Sequence, residues 1–466
     1  MSKKIKTIEE LLEEALVADG EQPYEVPDNW MWVRLGSVVN FFSGSAFPNQ
    51  FQGYTNFNIP FYKVGSLKDI DSDYYIFNED NTISEEMRIQ LKAKLVPKDT
   101  ILFAKIGEAI RLNRRSLVSK PACIDNNLMG FRGKEKVIEN KFLLFWSLKE
   151  SFYKYSQASA VPSIRKSTLE NISIPLPPLT EQKRIAEKVE HLLSKIEEAK
   201  QLIEEAKETF ELRRASILDK AFRGELDTSV VNENNILESD DENITSKLEE
   251  PYQLPSSWKW LKISDLFEQG KEQIIPTGIE SYVGLEHLNK GGGILEIGSS
   301  EGVKSSKVVF KAGDVLYGKL RPYLNKHAYV TFDGIASTDI IVFRSKSNEK
   351  IQNQLLNMYL GLPRVVAYAN KNSNGINLPR VSPKVMGELL FPCPPPSEQK
   401  YIVETVERLL SKLQSEQELM PILIDNLNSI KDSILSKAFR GELGTNDSNE
   451  ESAIELLKEV ILEQVN

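Results

Sequence analysis

Two stretches of the chain place an apolar residue at alternating intervals of four and three. The first runs Ile185, Val189, Leu192, Ile196, Ala199, Ile203, Ala206 and Phe210. The second runs Ile402, Val406, Leu409 and Leu413, then Met420, Leu423 and Leu427, with Glu416 interrupting the seam. That interval puts the apolar side chains on one stripe of an α-helix, and its length predicts coiled-coil helices. Pro177–Pro178 and Pro394–Pro396 precede the two stretches. Thr180 and Ser397 are suited to the N-cap, with Glu181 and Glu398 in the positive first turn. Gly224 and Gly441, each after an arginine, are suited to the C-terminal cap. Pro421 is expected to kink the second helix. About 40 residues at 1.5 Å each give rods of roughly 60 Å.

These helices belong to a chain that is written twice. IPLPPLTEQKRIAEKVEHLLSKIEEAK at 174–200 matches FPCPPPSEQKYIVETVERLLSKLQSEQ at 391–417, and SILDKAFRGEL at 216–226 matches SILSKAFRGEL at 433–443. Upstream, YEVPDNWMWVRLGSV at 24–38 matches YQLPSSWKWLKISDL at 252–266, each with a proline before a Trp-x-Trp pair. Trp30, Trp32, Trp258 and Trp260 are expected as core anchors at the entrance of each domain. The helical segments keep their length while the sequence between them varies. That is the pattern expected if helices set a distance and domains set a choice.

Between the repeats the periodicity is mixed. TILFAKI at 100–106 and DVLYGKL at 314–320 alternate like strands, whereas 140–157 and 349–369 look helical. The expected fold class is α+β: two similar globular domains separated by two long antiparallel coiled-coil helices, with an internal pseudo-twofold repeat. The expected segments are an N-terminal helix and lead-in over 1–23, domain one over 24–178 and the first spacer helix over 179–226. An acidic linker (227–250), domain two (251–396), the second spacer helix (397–443) and a tail with a short helix (444–466) follow. Short amphipathic helices are expected near 7–18 and 452–464.

The net charge of −9 over 466 residues argues at first against nucleic acid. Its distribution reverses that: Lys+Arg minus Asp+Glu is −5 over 1–29, +6 over 30–179, −8 over 180–250, +5 over 251–396 and −7 over 397–466. Two basic blocks alternate with acidic segments, so the mean says little about the local field. No apolar run approaches the ~20 residues that span a bilayer, and no secretory leader is apparent, which predicts a cytoplasmic protein. Cys123 and Cys393 offer no disulfide or zinc spacing, and His191, His287 and His327 lie far apart, so no metal is expected.

Several motifs imitate enzymes. Gly313–Lys319 has the outline of a phosphate-binding loop, but Leu320 stands where a Ser or Thr should hold magnesium. Glu181-Gln182-Lys183 and Glu398-Gln399-Lys400 end like a nuclease site without a paired acidic ligand, and capping with solvation is their expected role. Gly291–Gly293 reads as a loop. There is no Asn-Pro-Pro-aromatic stretch and no nucleophile–base pair. What remains is basic and polar loop chemistry. Lys105, Arg111, Asn113, Arg114 and Arg115 follow the first strand-like run, and Lys319, Arg321, Asn325 and Lys326 follow the second. Arginine can grip guanine and asparagine adenine with two hydrogen bonds, while lysine more often neutralises phosphate. The segments Pro162-Ser163-Ile164-Arg165-Lys166 and Pro379-Arg380, aligned at the same offset of 217 residues as the helices, suggest a second contact loop.

Nearly the whole chain resembles the specificity subunit of a type I restriction–modification system. The resemblance rests on the duplicated proline-rich entry into EQK-led helices, the duplicated SIL-x-KAFRGEL ends and the two Pro-x-x-Trp-x-Trp domain starts. It implies two target-recognition domains that read the halves of a bipartite DNA site, and helices that fix the spacer. It also implies methyltransferase subunits, two in number, bringing S-adenosylmethionine, and restriction subunits bringing ATP and magnesium. No catalytic residue and no cofactor are expected in this chain. Two rival readings are a self-sufficient nuclease or nucleotide-driven motor, which would depend on Lys319, and a protein-binding scaffold, which would show no salt-sensitive duplex binding.

Overall fold

The protein is described by a computed structural model covering residues 7–157, 161–226, 250–347 and 349–465. The acidic linker expected over 227–250 lies, apart from Glu250, outside the described residues. The chain divides into two compact units, one of residues up to 202 and from 423 onward, the other of residues 203–422. Each unit therefore takes one globular domain and half of each long helix.

In the first unit, Met31–Arg34 pairs antiparallel with Ser173–Leu176, so the start and end of the domain lie side by side. Between them a four-stranded sheet runs in the order Val39–Ser43, Leu128–Gly133, Ile101–Ala104, Ser116–Leu117. A second sheet sets Ile59–Tyr62 parallel to Cys123–Ile124. The helix Asn140–Lys149 buries Phe142 to Ser147 along its length. In the second unit Lys259–Lys262 pairs with Leu390–Cys393 in the same way. Its four-stranded sheet, Phe267–Gln269, Ile340–Ser345, Val315–Gly318, His327–Tyr329, repeats the first in order and direction. Ser281–Val283 is parallel to Gly334–Ala336, again as in the first unit. The duplicated sequence thus encodes a duplicated topology. The helical stretch expected over 349–369 is broken after Leu360, and Pro363 opens a second helix to Lys371. Proline suits a first helical turn, where its missing N–H is not needed.

The two long helices are Leu179–Arg223 and Pro396–Ala438. Each begins two residues earlier than an N-cap at Thr180 or Ser397 would place it: Gln182 N–H donates to the Pro178 carbonyl and Gln399 N–H to that of Pro395, and Thr180 sits inside the first turn, its hydroxyl donating to Glu450. Their C-terminal caps are as expected. Gly224 has φ 75°, and Glu225 N–H bonds back to Lys220 O at 2.9 Å; Gly441 has φ 74°, with Glu442 N–H on Lys437 O at 2.9 Å. The second helix continues through Pro421.

Pairing of the helices is antiparallel within each unit. Ile185, Val189, Leu193 and Ile196 share a core with Leu435, Ala438 and Phe439 in the first unit. Leu218, Ala221 and Phe222 share one with Ile402, Val403 and Val406 in the second. Glu416, which breaks the apolar seam, pairs with Arg213 at 3.1 Å. The expected seam residues Ile185, Val189, Ile196, Phe210, Ile402, Val406 and Leu413 are buried, while Leu192, Ile203, Leu409 and Leu427 are half-buried. Leu423 is a correction: it is 43% exposed, and its neighbour Ile424 is turned further inward. Leu193, not Leu192, is likewise the buried member of its pair. A strict 3.5-residue reading drifts against a straight helix of 3.6 residues per turn by ~20° per heptad, which moves the buried position one residue on.

The matching motifs prove to be halves of one joint. In the first unit Gly441 lies against Pro27, where an added Cβ would come within 2.4 Å of the ring. Arg440 stacks on Tyr24 at 4.7 Å, and Tyr24 meets Trp32 edge-on at 4.8 Å. Trp30 donates its indole N–H to Glu181 at 2.7 Å. In the second unit Gly224 meets Pro255 at 2.4 Å, Arg223 stacks on Tyr252 at 4.6 Å, and Trp258 donates to Glu398 at 2.9 Å. Phe439 and Phe222, from the KAFRG runs, pack edge-on against Phe142 and Tyr359 of the respective domains. Each long helix therefore begins against one domain and plugs into the other.

Glu181 and Gln182 are not solvated, as capping alone would leave them, but fully buried. Burial pushes the Glu181 carboxyl up, opposed by hydrogen bonds from Trp30 and Asn446. Gln182 accepts from Glu139 N–H and donates to Val137 and Pro177 carbonyls. Both short terminal helices form, Ile8–Ala15 and Ala453–Val465, and they share the first unit's core through Ala15, Ala453, Leu457 and Ile461. The stretch 444–450 is tied down: Arg184 donates to Thr445 O and to both carboxylate oxygens of Glu450.

Candidate nucleic-acid interface

In each domain the strand that centres the four-stranded sheet runs out into a basic loop, and a second loop crosses it. Gly107 N–H donates to Pro162 O at 2.8 Å, and Ile164 N–H to Lys105 O at 2.9 Å. In the second unit Arg321 N–H donates to Pro379 O at 2.7 Å, and Val381 N–H to Lys319 O at 3.0 Å. The crossing loops are themselves closed at the same places, by Gln157 N–H on Ser163 O and by Asn374 and Arg380 bonding each other both ways. The two sets of basic residues read separately from sequence thus form one cross-braced surface in each unit.

Side chains on that surface divide into two groups. Arg114, Arg165, Lys166, Arg321 and Arg380 are exposed, and Lys105 and Lys319 are half-buried beside them. Arg111 is 57% exposed, rests on the Tyr153 ring at 4.0 Å and pairs with Glu108 at 2.7 Å. Lys166 pairs with Glu170 at 3.1 Å, and Arg380 with Asp339 at 3.2 Å. These weak surface pairs can be exchanged for phosphate at little cost.

The second group is turned to the chain itself. Arg115 is 3% exposed, lies on Phe152 at 4.0 Å and donates to Arg114 O, Asn113 Oδ1 and Glu150 O. Burial pulls its guanidinium down to about 9. Asn113 and Asn325 hold equivalent left-handed positions, φ 49° and 46°, which asparagine tolerates. Asn113 also donates to Leu148 O at 2.9 Å. Lys326 donates to Leu285 O at 2.5 Å. Sequence chemistry could not separate these from the exposed set, because backbone conformation and burial decide it.

The sequence reading also missed the apolar side of this surface. Ile376 is 100% exposed, Tyr323 51% and Leu378 46%, all on or beside the loop closed by Asn374 and Arg380. The lookalike enzyme motifs are accounted for. Val315–Gly318 of the phosphate-loop outline is a buried strand, and Gly291–Gly293 is a turn with all three φ positive. Among the described residues no group of His, Cys, Asp and Glu could hold a metal ion, and no helix is long and apolar enough to cross a membrane.

Two like α+β domains, each closed onto the opposite ends of two antiparallel helices and each bearing a braced basic loop pair, define a duplicated recognition protein. The family described as "Type I restriction modification DNA specificity domain" matches residues 27–208 and 255–420, once per domain, and the chain belongs to that family. The chain is 29% identical over 327 residues to the type I restriction enzyme EcoDI specificity subunit of Escherichia coli, covering 66% of this chain and 71% of that one. It is 23% identical over 442 residues to the EcoBI specificity subunit of the same organism, covering 90% and 87%. Its fold matches a crystal structure of the HsdS subunit from Thermoanaerobacter tengcongensis with a TM-score of 0.60, at 20% identity, over 91% of this chain and 100% of that one. Specificity subunits are the non-catalytic components of these systems, and this chain is a non-catalytic specificity subunit for DNA target recognition.

Proposed function

We propose that each unit reads one half of a bipartite DNA target, and that the helix pair sets the distance between the halves. The supporting observation is the repeated pair of crossed loops, which presents exposed arginines at the same place in two similar but unequal domains. Unequal readers select different half-sites. Arginine and lysine on them neutralise phosphates and give salt-dependent affinity, and a subset reads base edges.

The chemistry belongs to partners. Methyltransferase subunits, two per chain, supply S-adenosylmethionine, and restriction subunits supply ATP-driven cleavage with magnesium, in the cytoplasm where the DNA is. The second long helix leaves Leu419, Ile422, Leu423 and Ile430 at least 43% exposed. At offsets of three, four and eleven these fall on one side of a helix, which suits docking of a partner helix.

The test is the methylation profile of a genome that expresses this chain with its methyltransferase partner. A single motif of two fixed half-sequences separated by a fixed unread spacer is expected. One continuous motif, or methylation without sequence preference, overturns the reading.

A further inference from the structure

We propose that the loop closed by Asn374 and Arg380 is a finger for the DNA major groove, and that Ile376 at its tip contacts the 5-methyl group of a thymine. This rests on the DNA-reading function proposed above and names one contact within it.

Three observations lead there. First, Ile376 is 100% exposed and Leu378 46%, so the folded chain gains nothing from burying the isoleucine. Single exposed apolar residues are ordinary on a surface. This one stands at the tip of a loop whose base is flanked by exposed Arg321 and Arg380. Second, the loop is held. Asn374 and Arg380 exchange two backbone hydrogen bonds of 2.9 Å, and Arg321 N–H and Lys319 O fasten its base to the neighbouring loop at 2.7 and 3.0 Å. Gly375, at φ 105°, makes the turn, with Leu378 O only 3.0 Å from where a Cβ would stand. A tip fixed in this way places a side chain without ordering a flexible segment on binding.

Third, shape and chemistry choose the ligand. A closed turn of two chain segments fits the ~12 Å major groove and not the ~6 Å minor groove. In the major groove the apolar feature on a base edge is the thymine methyl group. The corresponding residue of the first unit is Ser159, outside the described residues, so the contact is expected in one half-site alone.

The test uses the chain assembled with its methyltransferase partner and a duplex carrying the profiled target. Each thymine of both half-sites is replaced in turn by uracil, which removes only the methyl, and affinity is read by fluorescence anisotropy. One replacement should weaken binding about fourfold, the worth of one buried methyl. Ile376→Ala should weaken binding to the unaltered duplex by at least as much, and that uracil should then make no further difference. The finger is overturned if Ile376→Ala binds as the natural chain does, or if every uracil effect persists in the variant. It is equally overturned if neither half-site holds an A·T pair. Thymine unstacking detected by permanganate and lost in Ile376→Ala would make the residue a wedge and overturn the methyl contact. Loss of the methyltransferase from the Ile376→Ala complex would assign the loop to a protein partner instead. A natural complex that binds no duplex removes the DNA-reading function itself, and the finger with it.

Discussion

Arg321 holds a left-handed backbone, φ 53°, at the position where the first unit has Gly107 at φ 85°. A side chain there costs about 1–2 kcal/mol relative to glycine. Strain retained on an exposed, braced arginine is explained if the side chain is needed. Arg321→Gly should therefore leave the melting temperature unchanged or raised, while weakening duplex binding and making the salt dependence shallower by about one phosphate contact. A less stable variant with unchanged binding would contradict this. Arg114 and Arg115 are neighbours with opposite roles. Arg115→Ala removes a buried cation from three oxygens and an aromatic face, and should lower stability by roughly 3 kcal/mol in urea titrations. Arg114→Ala should change stability by less than about 0.5 kcal/mol and act on DNA affinity.

His327 supplies a pH test. It is fully buried, with Nδ1 2.8 Å from Asn357 Oδ1 and Nε2 without a partner, and burial pulls it down to about 4. Below its unfolded value, about 6.5, the unfolded state takes up a proton that the folded state refuses. Stability from this group is therefore complete above about pH 6.5 and falls toward pH 4. Between pH 7 and pH 5 the loss should be on the order of 2 kcal/mol, and His327→Gln should show a correspondingly flatter profile. Equal pH dependence in the variant would refute the assignment.

At the scale of elements, the helices, their C-terminal caps and the duplication were all readable from sequence, because heptad spacing, Arg-Gly ends and long matched segments each have one physical meaning. The sheet topology was not: strands of two to six residues carry too little alternation to fix their partners. Leu423 shows a finer limit, since a periodicity names a stripe but not its drift over three heptads. Glu181 shows another. A carboxylate in a helix-starting turn reads as solvated until a tryptophan 151 residues away donates to it. The joint itself makes a prediction. Gly224→Ala should lower stability by about 2 kcal/mol, because it adds a clash with Pro255 to an unfavourable φ. Gly444→Ala, at φ 68° with nothing within 4 Å, should cost only the backbone part, about 1 kcal/mol. Equal losses at the two sites would mean that the glycine–proline contact contributes nothing.

For the whole molecule, the charge pattern and the joints agree. The excess of Lys and Arg lies in the two globular domains, whereas Leu179–Arg223 carries ten basic and ten acidic residues and Pro396–Ala438 five and seven, so the negative charge that follows the first domain sits in the linker and not on the helix. Because each long helix starts against one domain and ends in the other, a change in helix length tests the proposed spacer role while leaving both basic loop pairs unaltered. The most direct measurement follows from that. One heptad is removed from each long helix, keeping the antiparallel register, and the methylation profile is compared with that of the natural chain. The account predicts the same two half-sequences with a different number of unread base pairs between them. Altered half-sequences with the original spacing would contradict it.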